Sequence, residues 1–375
     1  MRIKRALLYL AVTGLVLVVG CGPTYMDKQR EEARHRWAVS RAEMATKMAE
    51  GCFQRGEMGR AHQYVDDLVR SGVPYAPLYV LAARLAADKG DLDAARMYAD
   101  SARTLDPKSA EAHYVLGTIE QALGNTNFAL TAFSEAVCLD PNQARYVLAE
   151  AELLVAQDQT ERAVESLRDA TQRMPGRAEV HAALGDVLMF LGKDEQAAGS
   201  LRIAVRLEPG RTDLQERLAL ALYHSGSYAE AESLLGDLAL SQPDFAAGWL
   251  ASMRADCLMA MGRTARAREV YLALSQTRRD SVGPLVGAAK CDILEGRLPS
   301  ARKALEDTLA REPQHSEANA LMGYVLLAEG RPGEAAPHLT LALRDPQCAG
   351  RATVERLLAK AQGHPPGAAR PADDN

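Results

Sequence analysis

An all-α repeat array is the fold class predicted by this 375-residue chain, on three observations. No stretch alternates apolar and polar residues over the length of a strand, and aromatics make up only 5% while alanine is unusually common. The chain also repeats itself every 34 residues, in nine units starting at 42, 76, 110, 144, 178, 212, 248, 282 and 316, with a two-residue insertion, Ala246-Ala247, before the seventh. Finally, the small residues fall in phase. Alanine stands at the twentieth position of every unit (Ala61, Ala95, Ala129, Ala163, Ala197, Ala231, Ala267, Ala301, Ala335), and Gly or Ala at every eighth.

Each repeated residue has a physical reason. Small side chains at positions eight and twenty let two helices approach closely. Position fifteen is Gly in eight units, from Gly56 to Gly330, and Asp158 in the other; there a first helix ends in left-handed backbone. Pro107, Pro141, Pro175, Pro209, Pro243 and Pro313 share position thirty-two and stop the second helix. Larger apolar residues at position twenty-four, such as Phe133, Leu201 and Tyr271, fill the space between units.

The pattern resembles the tetratricopeptide repeat (TPR), over residues 42–349. The resemblance implies a right-handed superhelical solenoid of about nine helix–turn–helix repeats. Unit seven departs from it, with Arg254 at a usually apolar seventh position and Arg279 where proline is expected, and Glu150 is a similar lapse in unit four. The junction around 243–250 is therefore expected to be soft, dividing repeats one to six (42–245) from seven to nine (246–349). Residues 350–362 read as a capping helix and 363–375 as a disordered tail.

Ahead of the repeats, Arg2, Lys4 and Arg5 precede an apolar run from Ala6 to Val19, too short to span a membrane and of signal-peptide length. Val18-Val19-Gly20-Cys21 then resembles the lipobox of bacterial lipoproteins. That resemblance implies a signal peptide at 1–20, lipid on Cys21, and a place in the bacterial cell envelope, with Gly22 pointing to the periplasmic face of the outer membrane; an uncleaved anchor or a plain secretory signal is the alternative. Residues 21–41 are a tether and lead-in. Asp27 to Arg41 lacks Gly and Pro, so a helix beginning near 27 and a mobile lead-in are both open readings.

Composition excludes several classes. At 47% hydrophobic and 25% charged the chain is neither disordered nor a polytopic membrane protein, and a net charge of −5 argues against a nucleic-acid binder. Besides Cys21 an odd number of cysteines remains, with no CxxC pair, so neither a disulfide framework nor a zinc site is expected. Cys257 and Cys291, at position ten of neighbouring first helices, read as small packing residues. No HExxH, GxSxG or phosphate loop is present, and His113 and His181, both at position four, read as core packing. No catalytic residues, metal or cofactor beyond the lipid are expected, and no small-molecule substrate.

Function is expected on a surface instead. In the repeat family, positions two, five, nine, twelve and thirteen of the first helix line a groove that receives peptides or partner helices. Here those positions supply Phe53, Tyr114, Val155, Met189, Phe190, Tyr223, Trp249, Met259, Ile293, Tyr324 and Leu327, together with Glu152, Asp186, Glu216 and Asp256. Such an apolar stripe marks an interaction site, unless winding of the array buries part of it. Acidic groove residues outnumber Arg84, Arg145 and Lys290, which suits an apolar or amphipathic protein segment bearing Lys or Arg. The resemblance implies a membrane-tethered scaffold in assembly of an envelope machine such as a pilus, secretin or export complex. A regulatory adaptor for a cell-wall hydrolase or glycan synthase is the second reading.

Overall fold

The computed structural model describes residues 25–241 and 248–363, which form nineteen α-helices and no strand. Cys21, the lipobox, Ala246-Ala247 and residues 364–375 lie outside the described residues. The chain divides into two compact bodies, one ending at Met174 and the other beginning at Pro175. That boundary differs from the junction expected at 243–250, most of which is outside the described residues.

The first body holds α1 (Tyr25–Gln54), α2 (Met58–Arg70), α3 (Ala76–Asp88), α4 (Leu92–Leu105), α5 (Ala110–Ala122), α6 (Thr126–Leu139), α7 (Ala144–Ala156) and α8 (Thr160–Arg173). The second holds α9 (Ala178–Phe190), α10 (Asp194–Leu207), α11 (Thr212–His224), α12 (Tyr228–Ser241), α13 (Trp249–Ala260), α14 (Thr264–Thr277), α15 (Gly283–Leu294), α16 (Leu298–Arg311), α17 (Ser316–Ala328), α18 (Pro332–Leu343) and the capping helix α19 (Arg351–Ala361). Odd-numbered helices from α3 to α17 are the first helices of their repeats, starting within a residue of the unit starts read from the sequence. Each packs on its own second helix; first helices also stack on one another, α1 on α3 and α3 on α5 in the first body, α9 on α11 and α15 on α17 in the second.

The in-phase residues do what their size predicts. All nine alanines at position twenty are wholly buried. Every glycine at position fifteen has φ between 67° and 81°, and Asp158 takes the same left-handed conformation at φ 58°, the one non-glycine residue to do so among the described residues. Positions eight and twenty-four are matched in volume. A Cβ on Gly117 would lie 2.6 Å from the Phe133 ring, one on Gly185 2.5 Å from Leu201, and one on Gly323 2.4 Å from Leu339. Such contacts leave no room for alanine unless the facing side chain shrinks.

The two lapses in the pattern are compensated. Glu150 is buried but accepts hydrogen bonds from the hydroxyls of Ser134 and Ser166, both at 2.7 Å. Arg254 reaches Glu232 at 3.0 Å. Asp292 lies buried between Arg268 and Arg297, at 2.7 and 2.6 Å, so that its charge is paired on both sides.

The lead-in is helical: α1 runs without a break from Tyr25 into the first repeat, and residues 25–37 are all exposed. The capping helix α19 covers the last repeat with Val354 and Leu358, while the Arg351 guanidinium donates to the Leu343 and Asp345 carbonyls at the end of α18. No helix among the described residues is long and apolar enough to cross a membrane.

Candidate functional site

Positions nine and thirteen of a first helix stand seven and eleven residues beyond position two, and so lie within about 20° of it on either side around the helix. That face is open in both bodies. In the second body it carries large apolar side chains: Phe190 (67% exposed) on α9, Trp249 on α13, Leu294 (64%) on α15 and Tyr324 on α17. Positions five and twelve sit about 60–80° round on the shoulder of that face. Val155, Met189, Tyr223, Met259, Ile293 and Leu327 at position twelve are consequently half-buried, as is Phe53, and Met259, Ile293 and Leu327 pack on the core clusters of their own repeats. Val286, at position five and expected in the groove, is a core residue.

In the first body positions two, nine and thirteen carry no large apolar side chain, and the aromatic rings on the shoulder have internal partners. Tyr114 is half-buried, its ring centroid 5.7 Å from Phe133 and 5.0 Å from Tyr146, and the Arg145 guanidinium lies 5.2 Å above it. Tyr146 donates its hydroxyl to Glu111 at 2.8 Å, and Arg145 pairs with the same carboxylate. Burial, reinforced by Glu111, pushes the Tyr146 phenol up to about 12. Two repeats away, Arg84 stacks 5.1 Å over Phe53 and reaches Glu50 at 3.5 Å.

The groove is less acidic than its composition suggests, because its carboxylates are taken up by cations. Arg145 and Arg84 are joined by Lys290, which meets Glu317 at 2.5 Å. Arg217, at a position not counted as groove, binds Asp186 at 2.7 Å and lies 3.8 Å from Asp213. Burial still holds the Asp186 carboxyl above its ordinary value, with Arg217 pulling the other way. Asp256 accepts from the Tyr271 hydroxyl, and burial of that phenol together with this bond raises it far above its usual range. Glu152 is exposed and Glu216 half-buried. A preference for basic segments is therefore weaker than residue counting predicts.

The histidines at position four are packed in, His181 buried and His113 half-buried, and each also makes a polar contact. The His113 and His181 Nε2 atoms lie 3.1 and 3.2 Å from the carbonyls of Pro107 and Pro175, which can only accept; Gln215 and Asn319, also at position four, donate to Pro209 and Pro313 at 2.8 and 2.9 Å. Position four thus ties the start of a first helix to the proline turn before it. The signal was present in the sequence as a polar residue six places after the proline in four repeats, with Val147 after Pro141 an exception.

Cys257 and Cys291 are free and fully buried, and burial, chiefly, pushes each thiol up to about 11, which makes them poor nucleophiles. Among the described residues no three His, Cys, Asp or Glu side chains are placed to hold a metal ion.

Comparison with known proteins agrees with this frame. Two family models, each described as tetratricopeptide repeat, match residues 80–144 and 182–249 and residues 258–325, together more than half of the chain. No curated protein sequence matches it. Among solved structures, a tetratricopeptide repeat protein from Parabacteroides merdae is 18% identical with a TM-score of 0.42, covering 76% of this chain and 98% of its own. YrrB, a TPR protein with an unusual peptide-binding site, is 20% identical with a TM-score of 0.40, covering 48% and 93%; yeast Tom70 is 11% identical with a TM-score of 0.42, covering 86% and 96%. With a helix–turn–helix frame in both bodies, nine buried alanines in register and these family matches, the chain belongs to the tetratricopeptide-repeat family.

Proposed function

We propose that this chain is a non-enzymatic, membrane-anchored scaffold that binds a protein segment during assembly of a bacterial cell-envelope machine. Tetratricopeptide repeats serve as protein-interaction scaffolds, and one observation carries the reading here: Phe190, Trp249, Leu294 and Tyr324 stand exposed on the same face of first helices in the second body. Large apolar side chains held on rigid helices provide contact area at little entropic cost, which suits the centre of an interface. The partner surface is apolar or amphipathic. Its basic residues have fewer unpaired carboxylates to meet than the acid-rich groove suggests, since Asp186, Asp213 and Glu317 are already paired. The basic start, apolar run and Cys21 support lipid anchoring in the envelope, with the outer membrane as the proposed location.

The test is capture from solubilised envelopes by the intact protein and by a variant carrying Phe190→Ser, Leu294→Ser and Tyr324→Ser, with helix content checked in both. Loss from the variant of a partner held by the intact chain supports the site, and an assembly component supports the machine reading. A cell-wall enzyme as that partner would move the assignment to regulatory adaptor. Equal capture by both proteins removes the site.

A further inference from the structure

The N-terminal helix α1 has two faces, and one has no counterpart elsewhere in the first body. Positions three and seven are buried in the other repeats of that body: Leu78, Ala112 and Tyr146 at position three, Ala82, Leu116 and Glu150 at position seven. In repeat one the same positions are Met44 (66% exposed) and Met48, and the described residues ahead of them continue the same helix. Further up the helix, Met26 and Trp37 (67% exposed) are exposed as well. At about 100° per residue, Met26, Trp37, Met44 and Met48 fall within about 40° of one another, so they form one stripe along the whole of α1, on the side away from Ala42, Ala45 and Ala49 in the core.

The charges around this stripe are sorted. Arg30, Arg34, Arg36 and Arg41 all project within about a quarter-turn of its centre, and the Arg41 guanidinium lies 5.8 Å from the Trp37 ring. Glu31, Glu32 and Glu43 lie on the other half of the helix, as does Lys28, while Asp27 stands at the edge about as far from the stripe as Arg36. An apolar stripe flanked by arginines, with the carboxylates turned away, matches an anionic lipid surface. The methionines and tryptophan would enter the acyl boundary while the guanidinium groups reach the headgroups. A second copy of the chain fits poorly, because pairing stripe to stripe would set arginines against arginines. Moreover, α1 starts directly after the residues outside the structure, which contain the apolar run Ala6 to Val19.

We propose that α1 is an interfacial helix, laid along an anionic bilayer by Met26, Trp37, Met44 and Met48 and held there by Arg30, Arg34, Arg36 and Arg41. This goes beyond anchoring through Cys21 and does not depend on it. It would set the orientation of the first repeats against the membrane, which attachment at Cys21 alone would not do.

The chain has two tryptophans, so full-length protein carrying Trp249→Phe reports on Trp37 alone. It is mixed with vesicles containing phosphatidylglycerol, or phosphatidylcholine only, with brominated acyl chains as the quencher, and sedimentation records binding. The expected result is quenching of Trp37 on the anionic vesicles, and partitioning weakened about tenfold or more by Arg30→Gln, Arg34→Gln, Arg36→Gln and Arg41→Gln together. These side chains are exposed, and a thermal melt checks that the variant keeps its fold. Protein that sediments with vesicles while Trp37 stays unquenched overturns the proposal and leaves anchoring by the N-terminal segment standing. Equal quenching with and without the arginines overturns it too, as does a Trp37 response that needs an added envelope protein. A Cys21→Ser chain tests the lipid separately: release of that variant from native envelopes bears on anchoring, and its Trp37 quenching on vesicles bears on α1.

Discussion

The two bodies are built on one repeat frame yet use the open face of their first helices differently. In the first body that face carries no large apolar side chain and the rings on its shoulder are covered: Tyr114 leans on Phe133 and Tyr146, Arg145 covers both tyrosines, and Arg84 covers Phe53. In the second, Phe190, Trp249, Leu294 and Tyr324 stand in solvent. The first body exposes a stripe of large apolar side chains along α1, and others singly on second helices, such as Met97 and Phe128. The frame therefore fixes where a side chain points. Whether it is available depends on what stands one repeat away.

Substitutions on the two faces give the largest contrast. The Phe190→Ser, Leu294→Ser, Tyr324→Ser variant is expected to lose at least about tenfold in partner affinity, while Tyr114→Ser leaves binding unchanged and lowers stability, both measurable by titration calorimetry and denaturation. Binding loss from Tyr114→Ser as large as that from the triple variant would erase the distinction between the bodies.

The buried ion pairs come next. Asp292→Ala leaves Arg268 and Arg297 without their shared carboxylate and is expected to cost about 3 kcal/mol in the second body, read as an earlier urea transition of that body. Glu150→Leu in the first body gives position seven the residue found in three other repeats, but strips the acceptor from Ser134 and Ser166; it is expected to cost roughly 1–3 kcal/mol. Adding Ser134→Ala and Ser166→Ala should recover most of that loss. No recovery would mean that Glu150 acts through something other than the two hydroxyls.

Smaller still is the effect expected at position fifteen. Asp158→Gly removes left-handed strain from a side chain but loosens the unfolded chain, for a net gain of about 0.5 kcal/mol or less. Gly56→Ala in the same body is expected to lose about 1 kcal/mol, because a Cβ would be added at φ 75° with nothing gained in contact. Equal and opposite shifts in thermal midpoint for the two variants would show that position fifteen is governed by backbone alone.

Much of the frame was legible in the sequence because it rests on local and short-range constraints. A left-handed turn demands Gly56 or Gly90, a close helix crossing demands Ala61 or Ala95, and Pro107 stops a helix wherever it stands; each leaves a residue-level mark that recurs every 34 positions. The face of the candidate site was legible in the same way, since positions two, nine and thirteen are fixed by helical geometry. Availability was not. Position twelve reads as an apolar stripe, but Ile293 and Leu327 spend that surface on their own core, and several carboxylates of the acid-rich groove are paired with Arg217, Arg145 and Lys290 reaching across from neighbouring helices. The stripe on α1 is the converse case. Met44 and Met48 look like ordinary core positions, yet they are exposed, the described residues ahead of them continuing the same helix. Sequence by itself determined the repeat, its turns and its small-residue seams, because those depend on backbone geometry within one unit. Which polar groups are paired and which apolar groups are free was decided by the tertiary structure, because it depends on side chains 16 to 34 residues apart meeting across the stack.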